Sequence, residues 1–146
     1  MNGNINDSKQ LQIRQQNINK SLITTSNLLN NTPPNKFDII AIQEPYLDHL
    51  RNARANSKSY SVYPKTHYSN KSKCTRSMIL VNKKLATDTS SIIDIRSPDI
   101  TAIKMKTLTG TIFVIIIYCE CSHSESIVNQ TTNYRNKINT MAYRII

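Results

Sequence analysis

Short apolar runs alternate with polar connecting stretches along the chain as far as Tyr118. Residues 37–42 read Phe-Asp-Ile-Ile-Ala-Ile, a nearly continuous β-branched run that is typical of a strand covered on both faces. Apolar and polar residues alternate over residues 11–17, which predicts a strand there as well. The same criteria predict strands at residues 59–63, 77–82, 92–95, 100–106 and 111–118, with Thr109-Gly110 as the turn between the last two.

Two other segments have helical signals. Ser21 can cap a helix that runs to about Asn30 and that Pro33-Pro34 would end. The inner face of this helix is predicted to carry Leu22, Ile23, Leu28 and Leu29. Residues 125–143 predict a second helix, although they include many Asn and Thr. The order β-α-β followed by several strands predicts a layered α/β fold over residues 11–146, preceded by a disordered tail at residues 1–10.

Composition narrows the class of protein. The chain has 146 residues, 38% of them hydrophobic, and only 2 Gly. Glycine-rich phosphate loops and dinucleotide cradles are excluded, because they need backbone positions that only glycine fills cheaply. The odd count of 3 Cys, with no apolar leader at the start, leads us to expect an intracellular protein, with the nucleus as one candidate compartment. No membrane association is expected, because the apolar run at 112–118 is far shorter than the ~20 residues of a membrane helix.

The formal net charge of +10 is concentrated in one segment. Residues 51–84 contain no Asp or Glu, and Tyr and His rings are interleaved with the cations. Cations that pair with phosphates beside rings that stack on bases indicate nucleic-acid contact, and a solvated, mobile basic loop is the alternative. The cations predicted to contact nucleic acid are Arg51, Arg54, Lys65, Lys71, Lys73, Arg76, Lys83 and Lys84. The interleaved rings are Tyr60, Tyr63, His67 and Tyr68.

Three side chains stand where predicted strands end: Asn17, Glu44 and Tyr118. Open α/β sheets place their chemistry at the carboxyl ends of strands. A carboxylate at such a position suits Mg²⁺, which takes one or two protein carboxylates and keeps water and phosphate oxygens for the rest. Each residue also has a purely structural alternative: a loop acid for Glu44, a turn for Asn17, and ordinary packing for Tyr118.

At these residues the sequence resembles the endonuclease/exonuclease/phosphatase family, and within it the endonuclease domains of non-LTR retrotransposons. The segments that carry the resemblance are QQNINKS, FDIIAIQEPY, TRSMILVNKKLAT and IIIY, in the family's order. The resemblance covers most of this chain but only about the first half of such a domain. It implies a partial four-layer α/β sandwich, truncated before its C-terminal half.

The resemblance also implies the chemistry. Asn17 and Glu44 would hold Mg²⁺, Tyr118 would touch the scissile phosphate or its leaving oxygen, and Arg76 would face the substrate channel. The implied reaction is hydrolysis of a phosphodiester by in-line attack of water, with the metal acting as a Lewis acid. The implied partners are nucleic acid, DNA rather than RNA, and the rest of a retrotransposon polyprotein.

Two later motifs of the family, Gly-Asp-x-Asn and Ser-Asp-His, have no counterpart after Tyr118, since the last Asp is Asp99. We therefore expect little or no activity from this chain alone, because the residue that activates water and the histidine at the phosphate are missing. Two alternatives stay open, a non-catalytic nucleic-acid-binding module that uses residues 51–84 and an inert retroelement relic. Cys119, Cys121 and His123 do not have the spacing of a tetrahedral zinc site.

Overall fold

A computed structural model of the chain describes residues 10–33, 35–69, 74–85, 90–107, 110–119, 129 and 132–133. Within them lie one helix and seven strands, in the order β1, α1, β2, β3, β4, β5, β6, β7. The predicted tail lies outside the described residues except for Gln10, as does the predicted helix at 125–143 except for residues 129, 132 and 133, which have helical backbone. In the described part of the chain, no helix is long and apolar enough to cross a membrane.

The first sheet is mixed and has four strands in the order β1-β2-β4-β3. Its strands are β1 (Ile13–Asn17), β2 (Ile39–Gln43), β3 (Ser59–Val62) and β4 (Ser77–Asn82). β1 and β2 run parallel, whereas β4 is antiparallel to both β2 and β3. The prediction that residues 37–42 form a strand covered on both faces is confirmed, because four of the five β2 residues are buried.

The second sheet is antiparallel and has three strands in the order β5-β6-β7. They are β5 (Ser90–Ile92), β6 (Ile100–Thr107) and β7 (Gly110–Ile117). The predicted strand at 92–95 is wrong except for Ile92, because Ile95 packs into a separate apolar cluster outside any strand. Gly110 belongs to β7 and pairs with Thr107, with φ of 141°, a conformation that favours glycine. Residues 108 and 109 lie outside the described residues.

The two sheets pack face to face over an apolar core. On the first sheet this core includes Ile39, Ala41, Ile79 and Val81, and on the second Ile103, Met105, Val114 and Ile116. Alternate residues of β2 and β4 point to the other face, where Ile40, Ile42, Met78 and Leu80 pack with Ile18 and Leu28. The described residues therefore form three layers, which are helix, sheet and sheet.

Helix α1 (Leu22–Asn31) begins as predicted, since the Ser21 Oγ accepts a hydrogen bond from the Thr24 backbone N at 3.1 Å. The predicted inner face is wrong for two of its four residues. Leu22 and Ile23 are 36% and 74% exposed, whereas Thr25 and Leu28 are buried. Thr25 and Leu28 are one turn apart and occupy the inward stripe, and Ile23 lies about 200° around the helix from Thr25.

Candidate active site

The ends of β1, β2 and β7 meet at one end of the molecule. Asn17 closes β1 and is the register partner of Gln43, the last residue of β2, so that Glu44 follows directly beside it. The Gln43 Nε2 donates a hydrogen bond to the Ile117 carbonyl at 2.7 Å and thereby joins the two sheets at this end. Tyr118 follows β7 at the same place, and its backbone N donates to the Asp99 carbonyl at 2.8 Å.

Glu44 is held on both sides by backbone hydrogen bonds. Its N donates to the Arg76 carbonyl and its carbonyl accepts from the Lys20 N, each at 2.8 Å. The half-buried Glu44 carboxylate accepts a hydrogen bond from the Tyr118 hydroxyl at 3.0 Å through Oε1. Among the described residues, no ion pair joins this carboxylate to a Lys, Arg or His. Glu44 is therefore a fixed carboxylate whose negative charge is not compensated by these residues.

Arg76 and Asp99 form an ion pair directly beside Tyr118. The Arg76 guanidinium donates through Nε to one carboxylate oxygen of Asp99 and through Nη2 to the other, the second bond being 2.8 Å long. The guanidinium carbon lies 5.3 Å from the centroid of the Tyr118 ring, within the range of a cation–π contact. A chain of contacts thus runs from Asp99 through Arg76 and Tyr118 to Glu44.

Asp99 is the site residue that the sequence analysis missed. It is buried, with 6% of its surface exposed, and carboxylates are almost never fully buried unless they are paired. One sequence signal pointed to it, because Asp99 directly precedes β6 just as Arg76 directly precedes β4. Opposite charges at the starts of two buried strands pair when the strands pack together.

Asn17 has the structural role that was weighed for it. Its Oδ1 accepts a hydrogen bond from the Asn19 backbone N at 2.8 Å, and the side chain is exposed. This bond makes a turn that leads from β1 towards α1. The position beside β2 fits the metal-binding prediction for Asn17, which stays a prediction.

Backbone strain is concentrated at this end of the molecule. The described non-glycine residues with positive φ are Asn19 (51°), Lys20 (53°), Glu44 (48°) and Arg51 (64°). A left-handed conformation costs roughly 1–2 kcal/mol for a residue with a Cβ, and less for Asn. Such residues cluster at functional sites, where the surrounding structure holds them in place.

A surface cleft of about 440 Å³ opens beside Glu44. It is lined by Lys20, Pro45, Tyr46, Leu47, Arg51, Cys74 and Thr75. Below this lining, the buried His67 makes a hydrogen bond of 2.6 Å between its Nδ1 and the Thr75 Oγ1. The His67 ring stacks on Tyr63, with centroids 4.0 Å apart. One lining residue, Thr75, is therefore held by a packed aromatic pair.

Burial lowers the pKa of His67 from its ordinary value of 6.5, and the charge of Arg51 lowers it further. The Arg51 backbone raises the pKa of His67 and so offsets part of this shift. Within the described residues, no hydrogen bond of good geometry reaches the His67 Nε2. Because the depressed pKa favours the uncharged ring, His67 is neutral at pH 7. A neutral imidazole supports the cleft without adding to its positive charge.

The basic segment does not form one surface among the described residues. Lys65 pairs with Asp94 at 3.7 Å, Lys84 pairs with Asp38 at 3.5 Å, and the Lys83 Nζ donates to the Ser57 carbonyl. Lys83 follows β4 at the end remote from Glu44, about 23 Å away along the strand. Arg54 is exposed, and Lys71 and Lys73 lie outside the described residues. Of the eight cations predicted to contact nucleic acid, the described residues place two near Glu44. The Arg76 carbonyl accepts the Glu44 backbone hydrogen bond, and Arg51 lines the cleft.

The interleaved rings make internal contacts. The prediction of stacking on bases is wrong for His67, which has no exposed surface, and stays a prediction for the half-buried Tyr60 and Tyr63. His67 is fully buried, the Tyr63 hydroxyl accepts from the Ala53 N at 2.9 Å, and the Tyr60 hydroxyl bonds the Ser90 hydroxyl. Tyr68 is 70% exposed. The described residues contain no group of three His, Cys, Asp or Glu side chains that could hold a metal ion, and Cys121 and His123 lie outside them.

No protein-family model matches the chain, and no curated protein matches it. Among solved structures, the chain is similar to the endonuclease domain of TRAS1, a telomere-specific non-LTR retrotransposon, with a TM-score of 0.65 and 18% sequence identity. The match covers 88% of this chain and 54% of the TRAS1 chain, so this chain spans about half of that domain. The similarity confirms the predicted fold class, a mixed α/β fold of the endonuclease/exonuclease/phosphatase kind.

Proposed function

We propose that the chain is the N-terminal portion of a Mg²⁺-dependent endonuclease domain that hydrolyses phosphodiester bonds in DNA. The observation that carries the proposal is Glu44, a half-buried carboxylate at the end of β2 whose one described hydrogen bond comes from the Tyr118 hydroxyl. The fold similarity to a retrotransposon endonuclease domain supports the reaction class.

The residues around Glu44 fit a hard cation. Mg²⁺ binds through one or two carboxylates and keeps several waters, so it does not need the three or four protein ligands of a zinc site. Glu44 would supply the carboxylate, and Asn17, whose register partner Gln43 directly precedes Glu44, would supply an amide oxygen. Bound there, Mg²⁺ would act as a Lewis acid on a phosphate oxygen. Asp99 is not a ligand in this proposal, because Arg76 occupies both of its oxygens.

Tyr118 and the Arg76–Asp99 pair would hold the phosphate side of the site. The Tyr118 hydroxyl donates its one hydrogen bond to the Glu44 carboxylate. A phosphate bound beside Glu44 would take that hydrogen bond in place of the carboxylate. Arg76 packs against the Tyr118 ring, and Asp99 fixes Arg76. Asp99 is thus a positioning residue, since it acts on Tyr118 through Arg76.

Hydrolysis by this chain alone should be slow. A general base contributes roughly 10²–10⁴-fold to such reactions. The family motifs that would supply the water-activating residue and the histidine have no counterpart after Tyr118. We expect metal-dependent binding of DNA, with nicking that is weak or lacking.

The binding-module alternative is less well supported. It needs the cations of residues 51–84 on one face, and among the described residues Lys65 and Lys84 are paired with acids while Lys83 lies at the remote end of β4. The relic alternative predicts neither metal dependence nor any effect of Glu44.

The test is DNA binding, measured by fluorescence anisotropy in Mg²⁺ and in EDTA, with a supercoiled-plasmid nicking gel beside it. We expect Mg²⁺ to tighten DNA binding by the wild type. DNA binding by Glu44→Gln should be the same in Mg²⁺ and in EDTA, because Gln removes the charge that holds the metal. Asp94→Asn is the matched control, since Asp94 is an exposed acid and should keep the Mg²⁺ effect. An equal Mg²⁺ effect in Glu44→Gln would overturn the proposal.

A further inference from the structure

The cleft beside Glu44 has a lining of mixed chemistry. Its volume of about 440 Å³ falls in the range of small-molecule sites, roughly 300–1,000 Å³. Two cations, Lys20 and Arg51, line it together with the apolar surfaces of Pro45, Tyr46 and Leu47. Among the described residues that line it, none carries a carboxylate. Cations beside an aromatic ring match a nucleotide, whose phosphate is anionic and whose base has a flat apolar face.

The backbone ties this cleft to the proposed metal site. The Lys20 N donates to the Glu44 carbonyl at 2.8 Å, and Pro45 is the residue after Glu44. Thr75, another lining residue, directly precedes Arg76. A ligand in the cleft therefore lies next to whatever is bound at Glu44.

The lining is preorganised. Lys20 and Arg51 both have positive φ, and neither is a residue type that adopts this conformation readily. A hydrogen-bonded turn holds Arg51: its N donates to the Asp48 carbonyl at 2.9 Å, and the Asp48 Oδ1 accepts from the Leu50 N and the Asn52 N. Strained conformations of this kind persist where the surrounding structure fixes them, and they mark ligand clamps as well as active sites.

We infer that this cleft binds the nucleotide of the DNA strand that flanks the phosphodiester bound at Glu44. Lys20 and Arg51 contact its phosphate, and Tyr46 stacks on its base. The inference rests on the proposed function for the identity of the strand. It assigns binding roles to Lys20, Tyr46 and Arg51, of which only Arg51 stands out in the sequence as part of the basic segment.

The test uses the full chain in EDTA, so that the metal and Glu44 do not contribute. A short fluorescein-labelled single-stranded DNA is titrated by anisotropy against wild type, Lys20→Gln, Arg51→Gln, Tyr46→Phe and Tyr46→Ala. Gln keeps the Cβ and removes the charge, so the backbone conformation is equally strained in both proteins. Lys36→Gln and Lys58→Gln are the matched controls, because Lys36 and Lys58 are exposed and lie at the end of the first sheet remote from Glu44.

We expect each cleft cation to be worth about tenfold in affinity, a typical effect for a hydrogen bond to a charged group. The slope of log affinity against log salt should fall by roughly 0.7 for each lost contact with a single strand. Tyr46→Ala should bind roughly tenfold more weakly and Tyr46→Phe as the wild type does, because a ring is sufficient for stacking. The two control variants should differ from wild type by less than about twofold.

Wild-type affinity in Lys20→Gln would overturn the inference, because Lys20 would then not contact the strand. An equal loss in Lys36→Gln would overturn it as well, because binding would then follow net charge. Competition by inorganic phosphate as strong as that by a mononucleotide would also overturn it, since the cleft would then be only an anion site. Circular dichroism checks that each variant folds. If Arg51→Gln does not fold, the affinity of Lys20→Gln decides the question. These readouts do not depend on Glu44, so loss of the Mg²⁺ effect in the earlier test would remove the proposed function and leave the cleft result standing.

Discussion

At the scale of single residues, Asp99 is the group whose removal should disturb the site most. It is buried and binds Arg76 through both oxygens, and Arg76 packs on the ring that donates to Glu44. Removing one partner of a buried pair leaves the other charge poorly compensated, which is more costly than losing a surface ion pair.

Asp99→Asn is therefore expected to lower the free energy of unfolding by about 2 kcal/mol, less than for a fully buried pair because the Arg76 side chain is 27% exposed. Urea denaturation followed by circular dichroism measures the change. The exposed Lys65–Asp94 pair provides the comparison, and Asp94→Asn should cost less than about 0.5 kcal/mol. Equal effects of the two substitutions would contradict the role given to Asp99.

His67 makes stability depend on pH. Its folded-state pKa lies below the ordinary value of 6.5 because of burial and the nearby Arg51 charge. Below pH 6.5 the unfolded chain binds a proton that the folded protein does not, so stability is full above this pH and falls as the pH drops.

The urea midpoint of the wild type should therefore decrease as the pH is lowered from about 7 to about 5. In His67→Phe the decrease should be smaller, because Phe keeps the ring stack and does not titrate. His49→Gln is the control, since it removes an exposed histidine and leaves the buried stack of His67 on Tyr63 intact. A fall of the same size in His67→Phe would show that other groups cause it.

Residue-scale prediction from sequence depended on strand ends. The places of Asn17, Glu44 and Tyr118 could be predicted because each follows an apolar run that forms a strand. The role of Asp99 could not be predicted, because its partner Arg76 is 23 positions away and precedes a strand of the other sheet. The cleft role inferred for Lys20 depends on a positive φ and a turn, neither of which a pattern of apolar positions reveals.

At the scale of secondary-structure elements, burial decided how well the boundaries could be predicted. The predicted strand at 77–82 coincides with β4, all six of whose residues are buried. β5 is a short edge strand with two exposed residues, and its sequence carries little periodic signal. The start of helix α1 could be predicted from its cap. Its inward face could not, because the polar residue Thr25 is buried there, and a prediction based on apolar residues does not place Thr on the inner face.

The packing of the second sheet on the first makes a further prediction. Ile103 is 1% exposed in the core between the sheets, whereas Ile92, its register partner on β5, is 57% exposed. Ile103→Ala should lower the free energy of unfolding by about 2–5 kcal/mol through lost burial and a residual cavity. Ile92→Ala should lie within about 0.5 kcal/mol of wild type. Similar urea midpoints for the two variants would contradict the packing of the two sheets.

At the scale of the whole molecule, two sheets meet at one end around an acid without a described cation partner, beside a cleft with two cations. The charge pattern predicts nucleic-acid contact along residues 51–84, but charge along a sequence does not say which lysines pair with acids once the chain is folded. The fold class could be predicted from the order of elements and the resemblance. The separation of Lys83 from Glu44 required the strand register.

The central claim is that Glu44 holds a divalent cation, and Mn²⁺ binding measured by water-proton relaxation tests it most directly. The account predicts a Mn²⁺ site that Mg²⁺ displaces, that Glu44→Gln abolishes and that Asn17→Ala weakens, while Asp94→Asn leaves it intact. Mn²⁺ binding of wild-type strength in Glu44→Gln would contradict the account, because the metal would then be held elsewhere on the chain.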